Sequence, residues 1–584
     1  MAEPILALIA AAAGAGLGKA ALRRITSPTP GRSGRWQGQG RDASVAGLGL
    51  PENTMGWRYR AVHGAAVLAF SLAGATAGRA QTLTMGVGAP VTSIDPHYHQ
   101  LSPNTAVAHM IFSGLTTTDG HARVIPDLAE SWQAIDATTW EFRLRPGVRF
   151  HNGSEFTAED VAFTFARVPN VPNSPSSYAI YTRPIREVQV VDAHTLRLKT
   201  AVPYPLMPTD LASVMILDRE THAQVTTEGF NAGPMAVGTG PFRMVSHRNG
   251  DRIEFERNDG YFGARPAWSR VNYRMITNDA ARTAALLAGD VEFIDQVPTS
   301  DLAKLRNDQR LALSDITGLR LIYLAFDHAR AEASPFVADN DGKPLPANPL
   351  RDPRVRRALS MAVDRGAIVE RVMEGAAIPA GQFLPEGAFS YVPDLAPTRY
   401  DTEGARKLLA EAGFPQGFRI TLHGPNDRYP NDSRIIQAIG QMWTRAGVRT
   451  AVEAQPWTTF IARAGRQDFS AFLQGWGTSS GEGSNPLRNL TATADRDKGY
   501  GASNRGRYSN PEVDRVLDQA MRELDDAKRE ALLQQATRIV FEDVGILPLH
   551  IQKNTWAMRK GLAHDPRADE LTRAQDVRPA SAAK

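Results

Sequence analysis

The stretch that decides the fold is Ile125-Pro-Asp-Leu-Ala-Glu-Ser-Trp132 together with Trp140-Glu-Phe-Arg-Leu-Arg-Pro-Gly-Val-Arg-Phe-His-Asn-Gly-Ser-Glu-Phe-Thr-Ala-Glu-Asp160. Residues 140–145 alternate between apolar and polar side chains in the pattern of a half-buried strand. A Pro-Gly and an Asn-Gly dipeptide, both typical of turns, follow that strand. Thr157 can then cap a helix whose first turn carries acidic side chains. The stretch therefore predicts a strand, a turn, a strand, a turn and a helix, in that order.

Four further motifs follow in order along the chain. They are Gly238-Thr-Gly-Pro-Phe-Arg243, Asn258-Asp-Gly-Tyr-Phe-Gly263, Asp352-Pro-Arg-Val-Arg-Arg-Ala-Leu-Ser-Met-Ala-Val-Asp364 and Tyr508-Ser-Asn-Pro-Glu-Val-Asp514. With the first stretch, they resemble the sequence blocks of extracellular solute-binding protein family 5, the peptide, nickel and opine class that serves ABC importers. The resemblance extends over residues 81–562.

The resemblance implies an α/β fold, namely a bilobed periplasmic-binding-protein clamshell that is type II-like, with an extra small domain inserted in the first lobe. The length agrees with two lobes, because single hydrophobic cores stop growing at about 250–300 residues. Residues 563–584 are rich in Asp, Arg and Ala, which predicts a flexible tail. The predicted domains are lobe I from 81–124, 233–324 and 545–562, the small domain from 125–232, and lobe II from 325–544.

The N-terminal residues predict export. Residues 55–80 have the features of a Sec-type signal peptide, with Arg58 and Arg60 as the basic start, an apolar run over 61–75 and small residues before Gln81. Residues 1–54 are predicted to be a disordered prefix. Because Met55 stands directly before the signal, we interpret the prefix as a mis-set translation start; a genuine N-terminal anchor is the alternative.

Composition excludes several classes of function. The whole chain has 66 Lys and Arg against 62 Asp and Glu, and residues 1–80 hold nine of the basic but three of the acidic residues. The remaining chain is nearly neutral and offers no electrostatic footprint for nucleic acid. The absence of cysteine excludes disulfides, thiolate metal sites and a cysteine nucleophile.

Local patterns predict two further features. The Asn-Gly turn at 249–250 indicates a hairpin between strands at 242–246 and 252–257. Residues 511–542 form a long helical pattern that is at risk of a break near 523–526.

The segment Gln474-Gly-Trp-Gly-Thr-Ser-Ser-Gly-Glu-Gly-Ser-Asn-Pro486 is the first candidate for the ligand site. The family resemblance implies that, in peptide-binding members, an aspartate a few residues after the tryptophan pairs with the ligand's α-amino group. Here Trp476 is present, but Ser479 and its neighbours fill that place. We therefore expect a free α-amino group to matter little, unless Glu482 supplies the missing carboxylate.

Other candidates come from two loops. Tyr98 and His99 belong to a polar loop that could line the cleft, whereas a metal site there would need a third ligand. Asn426 and Arg428 follow a predicted strand, at the end where open α/β sheets bind ligands, and the arginine could grip a carboxylate or a phosphate. Stacking walls for the ligand are expected from three aromatic residues, Tyr429, Trp457 and Trp476.

The sequence thus predicts a binding protein and not an enzyme. As a periplasmic monomer it would capture an oligopeptide or peptide-like solute and deliver it to an ABC permease with ATPase subunits. No cofactor is expected, and neither a nucleotide loop nor a nucleophile elbow occurs in the sequence. Two alternatives stay open: a nickel-type metal-chelate receptor of the same fold, and a secreted hydrolase that uses carboxylates such as Glu482 and Asp495.

Overall fold

The structure is a computed structural model that describes residues 81–478 and 480–580. The predicted prefix and signal peptide, residues 1–54 and 55–80, lie outside the described residues. The strands are β1 Thr82–Val87, β2 Thr116–Thr118, β3 Val124–Pro126, β4 Ala129–Asp136, β5 Thr139–Leu144, β6 Ile185–Asp192, β7 Thr195–Thr200, β8 Phe242–Arg248, β9 Arg252–Arg257, β10 Arg270–Met275, β11 Phe293–Ile294, β12 Leu311–Phe326, β13 Val337–Ala338, β14 Ala377–Pro379, β15 Arg419–Pro425, β16 Arg449–Gln455, β17 Ala471–Gly477, β18 Leu547–Arg559, β19 Leu562–His564 and β20 Val577–Pro579.

The helices are α1 Ser102–Ile111, α2 Ala158–Arg167, α3 Ala179–Thr182, α4 Met207–Leu211, α5 Arg219–His222, α6 Thr227–Ala232, α7 Asp279–Ala288, α8 Thr299–Asn307, α9 Pro353–Met361, α10 Arg365–Ala367, α11 Thr402–Glu411, α12 Asp432–Arg445, α13 Trp457–Gly465, α14 Ser484–Pro486, α15 Pro511–Ala520 and α16 Asp526–Glu542. Short 3-10 or π turns add Val168–Asn170, Pro349–Arg351, Ile368–Val372, Leu487–Thr491 and Ala574–Asp576. The predicted helix over 511–542 is thus broken into α15 and α16.

One large sheet joins both lobes. Its strand order is β13-β15-β17-β12-β18-β11-β1-β10-β9-β8, with β14 added on β18 and β16 on β15. In lobe II, β15 pairs in parallel with both β16 and β17, and α12 and α13 connect these strands. In lobe I, β1 pairs in parallel with β10 and β11. Both halves therefore have the α/β character that the sequence predicts.

Two long strands, β12 and β18, cross between the lobes as an antiparallel pair. Their register breaks between Thr317 and Leu321. Beyond the break, residues 321–326 and 547–551 contribute to the cores of lobe II, whereas Trp556 belongs to the core of lobe I. The predicted boundary at 324 lies within β12 and the one at 545 lies just before β18, and both stay predictions. An apolar run buried on both faces of a strand does not reveal where one core ends and the next begins.

The small domain has its own sheet and its own core. The strand order is β4-β5-β7-β6, and all neighbours are antiparallel. Phe142, Leu196 and Leu198 alternate onto the face that packs against Phe156 and Val161. Because the small domain has its own sheet, covered by its own helix-bearing segment, it can be inserted in lobe I without changing the strand order of that lobe.

The capped helix that the deciding stretch predicts is present. Thr157 is the N-cap of α2 and forms a capping box with Asp160, whose carboxylate accepts from the Thr157 backbone N–H at 2.8 Å. The strand before it is β5, but the second predicted strand is reduced to an isolated bridge between Arg149 and Glu155. This prediction was wrong because two turns so close together leave too few residues for a ladder.

The Gly-Thr-Gly-Pro-Phe motif lies against the end of α1. The backbone carbonyl of Ile111 accepts from the N–H of Gly240 at 2.9 Å, and the carbonyl of Gly238 accepts from the N–H of His151 at 2.8 Å. A Cβ atom at Gly238 would lie 2.7 Å from Cδ1 of Phe112 and would also collide with the Ile111 carbonyl. Close backbone approach thus requires glycine at this position.

Gly238→Ala is expected to lower the free energy of unfolding by about 2–3 kcal/mol, because the added methyl group overpacks a site closed by backbone atoms. Gly465→Ala is the matched control, since Gly465 ends α13 and has open space around its Cα. The control should leave stability within about 1 kcal/mol of the parent protein. Equal effects of the two changes in urea titrations would contradict the packing argument.

The C-terminal segment is folded up to residue 580, and the predicted flexible tail over 563–584 was wrong in that range. β19 pairs with β20, and the indole N–H of Trp268 donates to the carbonyl of Val577 at 2.6 Å. Trp556 similarly donates to the Thr572 hydroxyl at 2.9 Å. The charged residues that make the sequence look solvated pair with one another instead, through Arg567–Asp569, Arg573–Asp576 and Arg578–Asp565.

Within the described part of the chain, the helices are all too short or too polar to cross a membrane.

Candidate functional site

A cavity of about 250 Å³ lies where lobe I, the small domain and lobe II meet. Each of the three contributes one wall. Lobe I supplies residues around the start of α1 and from the C-terminal segment, the small domain supplies α3 and the region of α4, and lobe II supplies the end of β17 and the loop after it. The lining residues are Gln100, Leu101, Ser102, Thr105, His109, Thr118, Tyr181, Leu206, Thr209, Asp210, Ala212, Ser213, Gly477, Ser480, Ser484, Asn485, Arg488, Asp569 and Leu571.

The lobe I wall carries acidic side chains that are already matched by arginines. Asp569 pairs with Arg567, and the Asp569 carboxylate accepts from the Arg567 Nε at 3.0 Å. Next to it, Glu570 pairs with Arg320 at 2.6 Å and accepts from the Ser102 hydroxyl at 2.8 Å. Burial alone would raise the pKa of Glu570, but the positive charge of Arg320 brings it below its usual value. Both carboxylates are thus paired with an arginine of the protein itself.

The small-domain wall carries a carboxylate that is bonded to a tyrosine hydroxyl. Asp210, at the end of α4, is 6% exposed and accepts a hydrogen bond from the Tyr204 hydroxyl. Burial raises the pKa of Asp210 to about 6, and the positive charge of Arg488 opposes that rise. Gln100 reaches across from lobe I and donates through its amide to the hydroxyl of Tyr181. The wall is polar on its cavity side and is joined to lobe I by that contact.

The lobe II wall is built by the segment that the sequence singles out. Residues 477, 480, 484 and 485 of that segment line the cavity. Trp476 is half-buried beside them, and its indole N–H donates to the Asn485 side-chain oxygen at 2.8 Å. Ser479 lies outside the described residues. The aromatic ring therefore fixes the orientation of an amide that faces the cavity.

Glu482 lies beneath this loop and is occupied. Its carboxylate pairs with Arg529 of α16 at 2.8 Å, and the side chains are 5% and 8% exposed. The Ser484 hydroxyl also donates to it. Arg529 in turn lies 4.5 Å above the ring of Phe389. With both a guanidinium and a hydroxyl on its oxygens, the carboxylate has the contacts of a loop anchor.

Three of the predicted residues form a separate cluster on lobe II, and a fourth, Asn426, precedes them in the chain. The Arg428 guanidinium lies 5.4 Å from the ring centres of both Tyr429 and Trp457, which are packed edge to face 6.0 Å apart. The Tyr429 hydroxyl donates to the carbonyl of Gly475 at 3.2 Å, and Asn426 is exposed. The cluster does not line the cavity, although the charge of Arg428 is felt by Glu570.

The loop containing Tyr98 and His99 acts as a brace between domains. His97 is fully buried, and its Nε2 lies 2.8 Å from the carbonyl of Met215 and its Nδ1 2.9 Å from Arg167. The Tyr98 carbonyl accepts from Ser174, and the His99 ring contacts Thr92 at 3.2 Å. Burial lowers the pKa of His97 to about 4. The residues that follow, from 100 to 102, are the ones that reach the cavity.

Metal ligands are not grouped in the residues described: these contain no cluster of three or more His, Cys, Asp or Glu side chains that could hold an ion.

Sequence reasoning missed most of the cavity. Asp210, Arg488 and Asp569 carry its charges, yet they lie on three segments far apart in the chain. Asp210 follows a proline-rich stretch that reads as a surface turn. The one available signal was the adjacency of Arg488 to the segment ending at Pro486.

Comparison with known proteins agrees with this architecture. The family model described as bacterial extracellular solute-binding proteins, family 5 Middle, matches residues 123–498. Heme-binding protein A of Haemophilus influenzae is 29% identical over 457 residues, covering 74% of this chain and 79% of that protein. The dipeptide-binding protein of Escherichia coli is 29% identical over 450 residues, covering 73% and 80%.

Solved structures share the fold. HbpA2 from Haemophilus parasuis superposes with a TM-score of 0.73 at 24% identity, covering 85% of this chain and 99% of its own. The dipeptide-binding protein from Pseudoalteromonas in complex with Met-Leu gives 0.69 at 22% identity, covering 85% and 100%. Both are periplasmic binding proteins in fold, which confirms the bilobed architecture predicted from the sequence. The family match extends over most of the chain, and the protein therefore belongs to the bacterial extracellular solute-binding proteins, family 5.

Proposed function

We propose that this protein is the solute-binding component of an ABC importer and captures a short peptide or peptide-like solute between its lobes. The observation that carries the proposal is the cavity itself, because its walls come from three separate parts of the molecule. Side chains from all three can therefore contact one ligand at once, and ligand binding would hold the parts together.

Chemistry of the lining supports a peptide-like ligand. The walls carry hydroxyl and amide groups, the guanidinium of Arg488 and two carboxylates, of which Asp569 is paired with Arg567, and Leu101, Leu206 and Leu571 add apolar surface. Amide-rich solutes offer the donors and acceptors that such walls require, and an apolar ligand would leave them unsatisfied. The dipeptide-binding relative and the Met-Leu complex support the same ligand class.

Delivery would take place at an importer of the inner membrane. Members of this family work in the periplasm, and the predicted signal peptide of residues 55–80 provides the route of export. In this proposal the protein performs no chemistry on its ligand, and ATP hydrolysis belongs to the ATPase subunits of the importer.

Native mass spectrometry of the protein purified from its producing cells tests the proposal. We expect a retained peptide or peptide-like molecule, and we expect peptides of that composition to raise the unfolding temperature. At a ligand concentration of a hundred times Kd, the stabilisation should reach about 2.7 kcal/mol. A retained metal complex would instead identify a chelate receptor, and turnover of the retained molecule would identify a hydrolase; either result would overturn the proposal.

A further inference from the structure

Two opposite charges face the cavity from different walls. Asp210 belongs to α4 of the small domain, and Arg488 belongs to the turn Leu487–Thr491 of lobe II. Both line the same space. Each feels the field of the other, yet their charged atoms are not within the 4.0 Å of an ion pair. The Tyr204 hydroxyl, which donates to Asp210, also lies beside the Arg488 guanidinium.

Among the described residues that line the cavity, Asp210 is the carboxylate without an ion-pair partner. Among the residues that the structure describes, each of the other acidic side chains at or next to the cavity has an arginine partner: Arg567 for Asp569, Arg320 for Glu570 and Arg529 for Glu482. Of the side chains that the structure describes, the Tyr204 hydroxyl is the one that donates to Asp210. A buried carboxylate with so little compensation favours the approach of a positively charged group.

Arg488, in turn, favours a negatively charged group of the ligand. Its guanidinium is always charged and carries five N–H donors, which match a carboxylate in a bidentate arrangement. No carboxylate of the described residues forms an ion pair with it, although Asp210 and Glu482 lie close enough to raise its pKa. The Glu482 carboxylate is occupied by Arg529. A ligand carboxylate would therefore supply what the protein does not.

We propose that Asp210 and Arg488 hold the two ends of a small zwitterionic ligand, with the ligand ammonium at Asp210 and its carboxylate at Arg488. The inference rests on the proposed function and specifies the ligand class within it. A cavity of about 250 Å³ suits a ligand of dipeptide size and is small for a long peptide. Free α-amino groups are then recognised, contrary to the expectation from residues 478–480.

Three pools of dipeptides test whether the protein recognises both charged ends of the ligand. The first contains unmodified dipeptides of the common amino acids, the second the same dipeptides N-acetylated, and the third the same dipeptides as C-terminal amides. Equilibrium dialysis with mass spectrometry measures how much of each pool the protein retains. We expect retention from the first pool, and about a hundredfold weaker binding of the acetylated and amidated forms, the scale of an unpaired buried charge.

Two variants test which residue binds each end of the dipeptide. Asp210→Asn keeps the acceptor for the Tyr204 hydroxyl and should abolish the preference for free over acetylated dipeptides. Arg488→Gln should abolish the preference for free acids over amides and leave the other preference in place. Asp136→Asn is the matched control, because it removes the same charge from an exposed position of the same domain. It should behave as the parent protein, and thermal unfolding verifies that all variants are folded.

Each other outcome overturns the inference. Equal retention of the three pools would show that the charged ends are not recognised. Preferences that survive in both variants would assign them to other residues. If the parent protein retained no dipeptide, the proposed recognition of both charged ends would also be overturned. The proposed function would still stand if the protein isolated from its cells carries a longer peptide or another peptide-like solute.

Discussion

Glu482→Gln is expected to lower the free energy of unfolding by about 3–5 kcal/mol, the cost of breaking a buried ion pair by removing one partner. The carboxylate of Glu482 lies 2.8 Å from Arg529, and both side chains are almost fully buried. Loss of the negative charge would leave the guanidinium without its buried counterion. Chemical denaturation followed by circular dichroism measures the change.

Asp526→Asn is the control for this prediction. Asp526 pairs with the same arginine at 3.1 Å, but its side chain is 79% exposed. Water screens an exposed pair, and the expected change is therefore below about 1 kcal/mol. Similar losses for the two variants would contradict the role of Glu482 as a buried anchor. A large loss for Glu482→Gln would also explain why this carboxylate is not available to a ligand ammonium.

Removal of residues 565–584 is expected to prevent folding or to lower the free energy of unfolding by at least about 5 kcal/mol. The deletion exposes apolar surface now covered by Leu571 and Val577, each contributing about 1.5–3 kcal/mol. It also leaves the indole donors of Trp268 and Trp556 without their acceptors, at about 1–3 kcal/mol each. Yield of soluble protein and its unfolding curve measure the effect.

A milder change keeps this prediction testable if the truncated chain does not fold. Glu570→Gln leaves the segment in place and removes the charge that pairs with Arg320 of β12. Arg320 would then lose its paired carboxylate, but its side chain is 17% exposed and can still be hydrated, so the loss should be smaller than that of the deletion, at about 1–3 kcal/mol. A truncated protein as stable as the parent would mean that the C-terminal segment does not contribute to the lobe I core.

Local features could be predicted from the sequence because their causes are local. The capping box of α2 needs only Thr157 and, three residues later, the carboxylate of Asp160. The hairpin of β8 and β9 needs only the turn Asn249-Gly250 between its strands. The break between α15 and α16 lies at a run of acidic residues, where Asp525 caps the second helix. Each of these signals is complete within a few neighbouring residues.

The cavity could not be predicted in this way. Asp210 and Arg488 approach each other because a separately folded small domain is placed against lobe II, and neither residue has a neighbour in sequence that indicates this contact. The C-terminal segment failed for another reason. Its composition suggests a solvated tail, but each arginine at 567, 573 and 578 has an aspartate partner nearby. Amino-acid composition gives the number of charged residues but does not show which of them pair.

A crystal structure of the protein with the solute it retains from its own cells would show whether the ligand lies between the lobes and the small domain. We expect electron density for a short peptide or peptide-like molecule in the 250 Å³ cavity, with contacts to residues 100–102, to the small domain at Asp210 and to lobe II at Arg488. Density for a ligand that contacts one lobe alone, or that lies outside this cavity, would contradict that expectation.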